Sequence, residues 1–242
     1  MSAKDTLYLE GLPHADFVFD EKVVSVFPDM ISRSVPGYST IIAMIGTLAS
    51  EYVKPGSVCY DLGCSLGAAS LSMRHQINTG QSRIIAVDNS RAMTEGCREA
   101  VVRDGEGIEV DVRCQDVMDC EINNASMVVM NFTLQFVDPL LRNALISRIH
   151  DGLLPGGLLV LSEKIRFADS SLDTLFIDMH HRFKEEQGYS KMEISRKRSA
   201  LENVLVPETI LEHKQRLQDA GFHSQDIWFQ CFNFVSMVAV KA

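Results

Sequence analysis

Val58-Cys59-Tyr60-Asp61-Leu62-Gly63-Cys64-Ser65-Leu66-Gly67 decides how the chain folds. Its first half is an apolar run fit for a buried strand. Asp61 closes that strand, and small residues follow where the chain must turn before the run Ala68 to Met73 begins a helix. A strand, a tight loop and a helix N-terminus in that order expose bare backbone to a ligand, because glycine adopts positive φ and has no side chain to block approach. A pyrophosphate loop is spaced G-x-G-x-x-G. Here Gly63, Ser65 and Gly67 follow an acid in the form D-x-G-x-x-x-G, which is not that fingerprint and leaves either another ligand-binding loop or a plain glycine turn after a strand.

Outward from this loop the pattern repeats. Arg83 to Val87 is a second apolar run that ends at Asp88-Asn89-Ser90, with Ser90 placed to cap a helix over Met93 to Val102. Ile108 to Cys114 leads to Gln115-Asp116-Val117, and Ser126 to Met130 ends at Asn131-Phe132. A helix from Pro139 to about Leu153 follows, then Pro155-Gly156-Gly157 as its stop and Leu158 to Ser162 as a fifth strand. Such alternation predicts a doubly wound α/β fold with a mostly parallel sheet, and ligands of such sheets bind at the strands' carboxyl ends. Asp88 lies about twenty residues past Gly67, the offset of a ribose-binding acid; its plainer role is helix N-terminal charge. Asp116 suits an adenine amino group, Val117 the ring face, and Asn131 the amino-acid end of a ligand; taken singly, each is equally an ordinary loop residue.

The flanks depart from a bare α/β pattern. Residues up to about 56 form an expected N-terminal cover, punctuated by Pro28, Pro36 and Gly37 before helical spacing sets in at Ile41; Tyr38 sits just ahead of that helix. Residues 163 to 205 are charged and helix-prone and read as an inserted helical cap. Adjacent His180 and His181 point different ways on a helix, which favours packing or surface roles over a metal pair. The basic stretch Lys191 to Arg198 is a solvated face or, on a cap, a clamp for a carboxylate, since arginine offers a planar fork. Asp226 to Gln230 and Phe234 to Val240 supply two closing strands, making seven, and the whole is expected to be one domain.

The 242 residues carry 23 basic and 32 acidic side chains, a net charge of −9, which argues against broad attachment to nucleic acid or anionic membrane and for a small-molecule ligand. No apolar run is long enough to span a bilayer and no signal-like segment opens the chain, so a cytoplasmic location is expected. The six cysteines lack metal-ligand spacing, so no metal is expected and reduced thiols are; Cys64, in the ligand loop, is the one with a possible second role.

Longer strings narrow the reading. Phe27 to Ser39, Tyr60 to Ala69, Asn131 to Phe136, Leu201-Glu202-Asn203 and Trp228 to Phe234 resemble the bacterial carboxy-S-adenosyl-L-methionine synthases, enzymes of Rossmann-like class I methyltransferase fold. The resemblance runs through nearly the whole chain. It implies conversion of S-adenosyl-L-methionine and prephenate to carboxy-S-adenosyl-L-methionine and phenylpyruvate, a product used by a downstream tRNA carboxymethyltransferase to modify wobble uridine (cmo5U). It also implies a homodimer. Carried over, ligand contacts fall on Tyr38, Gly63, Cys64, Ser65, Asp88, Asn89, Asp116, Val117 and Asn131, and Arg198 becomes the cation facing the added carboxylate.

That chemistry asks little of a nucleophile. The positive sulfur acidifies its methyl protons, so an ylide carbon can capture the carbon dioxide that prephenate loses on becoming aromatic. A dry pocket and a cation are the protein's share. Asn131-Phe132-Thr133-Leu134 stands where amino-methylating enzymes carry an N-P-P-[FY] type motif, which disfavours methyl transfer to a nucleic-acid amine. Two rivals remain open on sequence: an ordinary small-molecule methyltransferase, and a non-catalytic adenosyl-binding module.

Overall fold

The computed structural model describes residues 4–7, 18–202 and 204–242. Residues 8–17 of the expected N-terminal cover, and Asn203, lie outside them. Helices α1 (Glu21–Ser34) and α2 (Tyr38–Tyr52) precede β1 (Val58–Leu62), α3 (Ala68–Gln76), β2 (Arg83–Asp88), α4 (Arg91–Asp104) and β3 (Glu109–Cys114). Then come β4 (Ala125–Asn131), α5 (Pro139–Gly152), β5 (Leu153–Lys164), α6 (Ser170–Glu186), α7 (Lys191–Leu201), α8 (Ile210–Asp219), β6 (Ser224–Cys231) and β7 (Phe234–Val240). The seven strands form one sheet in the order β3-β2-β1-β4-β5-β7-β6. Strands β1 to β5 pair in parallel, and β7 runs antiparallel to both β5 and β6. Strand order reverses between β1 and β4, so a crevice opens at their carboxyl ends.

Two-residue periodicity fixes which helices cover which face. Val58, Tyr60 and Leu62 pack with Leu145, Ile146 and Ile149 of α5 and Leu217 of α8. Cys59 on the alternate register packs with Ile41 and Ile45 of α2 and Met73 of α3. Asp61 shares that second face, and burial there is tolerable because its Oδ2 accepts from the Ser70 N–H at 3.0 Å and the Ser70 hydroxyl at 2.6 Å. Among the described residues no helix is long and apolar enough to cross a membrane.

Two expectations need correction. The pieces read around Pro28 are one helix, α1: Asp20 caps it by accepting from Lys22 and Val23 N–H, and Val23, Phe27 and Met30 bury one face. Burial of that stripe outweighs the single N–H that Pro28 lacks. Pro155-Gly156-Gly157 does not separate α5 from the fifth strand but bulges within β5, where Ala125 pairs with Leu153 and Met127 already pairs with Leu158. Lys241 holds the bulge through Gly156 N–H to its carbonyl at 2.8 Å and its own N–H to the Gly157 carbonyl at 3.0 Å.

Beyond Ser162, where the sequence placed its end, β5 continues through Glu163 and Lys164. Glu163 is buried, and its two oxygens accept one each from the Leu134 and Gln135 N–H groups at 2.9 Å. Burial pushes this carboxyl up to about 8, while the two N–H bonds and the nearby Arg142 charge favour the ionised form. Through these two bonds Glu163 pins the 3-10 turn Leu134–Phe136 that follows Asn131 and Phe132. Glu163→Gln turns one acceptor into a donor facing a backbone N–H. We expect a loss of about 2 kcal/mol, read by calorimetry as a melting temperature lower by about 6 °C.

Candidate active site

A cavity of about 420 Å³ lies at the carboxyl ends of the parallel strands. The loop after β1 gives it Gly63, Cys64 and Ser65; β2 and the residue after it give Asp88 and Asn89. Asp116 and Val117 come from the turn after β3, Asn131 from the end of β4, and Tyr38 from the first turn of α2. These are the positions named from the sequence, brought from five separate elements to one wall.

Asp88 organises the β1 loop. Its Oδ2 accepts from the Ser65 N–H and its Oδ1 from the Ser90 N–H, both at 2.9 Å, leaving a further lone pair on each oxygen for paired hydroxyls. Burial raises its pKa and these two N–H bonds oppose the rise. Ser90 does cap α4, accepting from the Met93 N–H at 3.2 Å, and its hydroxyl donates to the Phe19 carbonyl at 2.6 Å. Phe19, two residues before α1, packs edge-on against Phe136 at 5.5 Å and lines the cavity with it. Asp116 accepts from the Met118 N–H at 2.8 Å through Oδ1, and its Oδ2 has no partner among the described residues.

Two further atoms ask for a ligand. Asn131 Oδ1 is buried and has no hydrogen-bond partner among the described residues. Asp61 uses only Oδ2 toward Ser70, while burial pushes its pKa up to about 6. An S-adenosyl-L-methionine fits this set: paired ribose hydroxyls at Asp88, an amino group at Asn131, and a positive charge near Asp61. Tyr38 is a neutral phenol, its pKa raised by burial and then by Asp61.

The glycines also let the loop pack closely on its neighbours. Gly63 has φ +84°, but the space its missing side chain leaves is taken by Thr133, whose Oγ1 lies 2.1 Å from where a Cβ would stand. Gly67 has φ +82° and faces the Cys97 sulfur in the same way. At both glycines neighbouring protein occupies the place of a Cβ, and Gly63 also lines the cavity. Cys64 is no thiolate: its hydrogen bond with Cys97, then burial, push its thiol well above the ordinary range.

Arg198 stands apart. It is exposed on α7 and does not line the cavity, although its charge acts on Lys164 and His181. It has no ion-pair partner among the described residues. His180 is buried, with Nε2 2.8 Å from the Ser34 carbonyl oxygen and its ring 4.8 Å from that of Phe234, a packing role at the cavity wall. Lys197, within the basic stretch read as a solvated face or a carboxylate clamp, does line the cavity, whereas sequence reasoning missed two further lysines there, Lys164 and Lys184. Only Lys164 left a signal, as the residue at the carboxyl end of the fifth strand.

Residues 59–157 match a methyltransferase domain family. A carboxy-S-adenosyl-L-methionine synthase of Geobacter sp. (strain M21) is 60% identical over 227 residues, 93% of either chain. That of Escherichia coli (strain K12) is 54% identical over 243 residues, covering 100% of this chain and 98% of its own. A solved SAM-dependent methyltransferase of Methanosarcina mazei superposes with a TM-score of 0.58 at 16% identity, over 80% of this chain and 96% of that one. The sheet order and this likeness give the Rossmann-like class I methyltransferase fold.

Proposed function

The chain belongs to the carboxy-S-adenosyl-L-methionine synthase family, and from that premise we propose that it joins S-adenosyl-L-methionine to the carbon dioxide released by prephenate. One proton leaves the sulfonium methyl group, and the new C–C bond forms to carbon dioxide. Prephenate loses that carbon dioxide and hydroxide to become phenylpyruvate, and the proton and hydroxide depart as water. The observation that best supports the reading is the gathering of the adenosyl-directed residues on one cavity that basic side chains also line.

In this reading Asp88 holds the ribose, Asp116 and Val117 hold the adenine, and Asn131 with Tyr38 holds the methionine part. Gly63, Cys64 and Ser65 shape the backbone under the ligand, and Asn89 lies beside the ribose. The Phe19 segment and α6 exclude water, so that carbon dioxide meets the methyl carbon before it escapes. The product passes to a tRNA carboxymethyltransferase acting on wobble uridine, and two copies of the chain form a homodimer.

The test is mass spectrometry of the small molecules formed from S-adenosyl-L-methionine and prephenate. A species heavier than the substrate by one carbon dioxide, accompanied by phenylpyruvate, is expected; S-adenosylhomocysteine alone would indicate a methyltransferase. Arg198 is proposed to swing to the new carboxylate. Arg198→Ala should weaken retention of the carboxylated product at least about tenfold, the worth of a charge-assisted hydrogen bond, while calorimetric affinity for S-adenosyl-L-methionine stays within about twofold. Unchanged retention together with an unchanged rate of formation removes Arg198 from the site.

A further inference from the structure

Opposite in charge to Asp61 and Asp88, three lysines line the same cavity from three elements: Lys164 ends β5, Lys184 lies on α6 and Lys197 on α7. Lysine ordinarily keeps its ammonium in water, and a buried one is costly unless paired. Lys184 is only 7% exposed, yet its ammonium has neither carboxylate nor hydrogen-bond partner among the described residues. Lys164 likewise has no ion pair among them; Asp173 and Arg198 act on it only through their charges. Lys197, 6% exposed, is part-compensated, donating to Ser34 Oγ at 2.9 Å and lying 3.8 Å from Asp5 Oδ2.

The neighbours make this wall more positive. Burial, then Lys197 and Lys164, bring Lys184 down to about 7, so it is the group that an arriving anion would recharge most. His180 and His181, also on α6, are held toward the neutral form by burial. Asp5 is engaged by the Tyr189 hydroxyl and by Lys197 and makes no ion pair with Lys184. Nothing in the described fold is stabilised by three such ammonium groups facing one space. An anion that enters with the ligand supplies what is missing.

We propose that Lys184, with Lys164 and Lys197 beside it, is the receptor for the carboxylates of the second substrate, making the cavity selective for a dicarboxylic acid beside a sulfonium ligand. This rests on the prephenate reaction proposed above. The sulfonium ligand itself brings one carboxylate, but Asp61 and Asn131 place its amino-acid end by the ends of β1 and β4. A dianion needs separate cations, and Lys164 and Lys184 have no ion-pair partner among the described residues.

The experiment uses the full chain carrying Lys184→Met, with Lys184→Gln and Lys164→Met as second variants. Steady-state rates give KM for prephenate. Calorimetry gives the affinity of prephenate for protein loaded with S-adenosylhomocysteine, which cannot react, and separately the affinity for S-adenosyl-L-methionine. We expect the prephenate KM and dissociation constant to rise at least about tenfold, with S-adenosyl-L-methionine affinity within about twofold and no fall in melting temperature, because an uncompensated buried charge is removed. Wild-type turnover of prephenate with variant constants within twofold of wild type overturns the lysine assignment alone. A parallel loss of S-adenosyl-L-methionine affinity also overturns it, by giving the lysines to the methionine carboxylate. Wild-type protein that neither binds prephenate nor makes the carboxylated product overturns both readings.

Discussion

Gly63→Ala is expected to cost about 3 kcal/mol of stability, lowering the melting temperature by about 10 °C, and to abolish measurable binding of S-adenosyl-L-methionine at concentrations that saturate the native protein. Three Thr133 side-chain atoms stand inside contact distance of the added methyl: Oγ1 at 2.1 Å, Cγ2 at 2.4 Å and Cβ at 2.8 Å. Rotating Thr133 exchanges the first two but cannot move the third. The loop must therefore shift, and φ +84° adds a strain that alanine does not relieve. The shift matters for the ligand because Ser65 N–H, two residues on, is held by Asp88. Pairing Gly63→Ala with Thr133→Gly removes the clash and leaves the φ strain. Calorimetry should recover more than half of the lost stability in the double variant. Equal melting temperatures for single and double variants would show that Thr133 is not what excludes a side chain at position 63.

Legibility in the sequence followed the range of the interaction responsible. The β1 loop and the Ser90 cap were readable because each carries a local signature, Asp61 reaching Ser70 nine residues on and Ser90 reaching Met93, although Asp88, Cys97 and Thr133 complete the loop from farther along the chain. The parallel sheet was readable because strands covered on both faces are continuous apolar runs, as in Met127 to Met130. The helix through Pro28 was not, because its stability comes from Val23, Phe27 and Met30 packing on Met93, far along the chain. The bulge at Pro155 was not, because its partner is Lys241. Lys184 was least legible of all: Arg182-Phe183-Lys184-Glu185-Glu186 reads as a solvated helix face, and only the packing of α6 over the cavity buries the middle charge. Arg198 entered as the end of a basic stretch fit to clamp a carboxylate, and the resemblance singled it out from its neighbours; its position on α7 is exposed.

Affinity for S-adenosyl-L-methionine is expected to fall about tenfold for each pH unit below about 6, and Asp61 is the cause. The side chain is 1% exposed, and burial raises its pKa from 3.8 to about 6 against the pull of two Ser70 bonds. A ligand carrying sulfonium and ammonium charges favours the carboxylate, so protonation and binding compete. The stability term has the opposite sign. Because the folded pKa exceeds the unfolded one, ionised Asp61 costs the empty protein about 3 kcal/mol above pH 6, a cost that disappears as pH falls from about 6 toward 3.8. Asp61→Asn separates the two effects. The amide oxygen still accepts from the Ser70 N–H and hydroxyl, so the loop keeps its anchor while the buried charge is gone. The variant should therefore melt higher than the native protein at pH 7, bind S-adenosyl-L-methionine at least about tenfold more weakly, and show a flatter affinity profile between pH 5 and 7. Calorimetric titrations across that range decide it. A variant that binds as tightly as the native protein, or keeps its full pH dependence, assigns the titration to another group, with Asp88 next in line since burial raises it too.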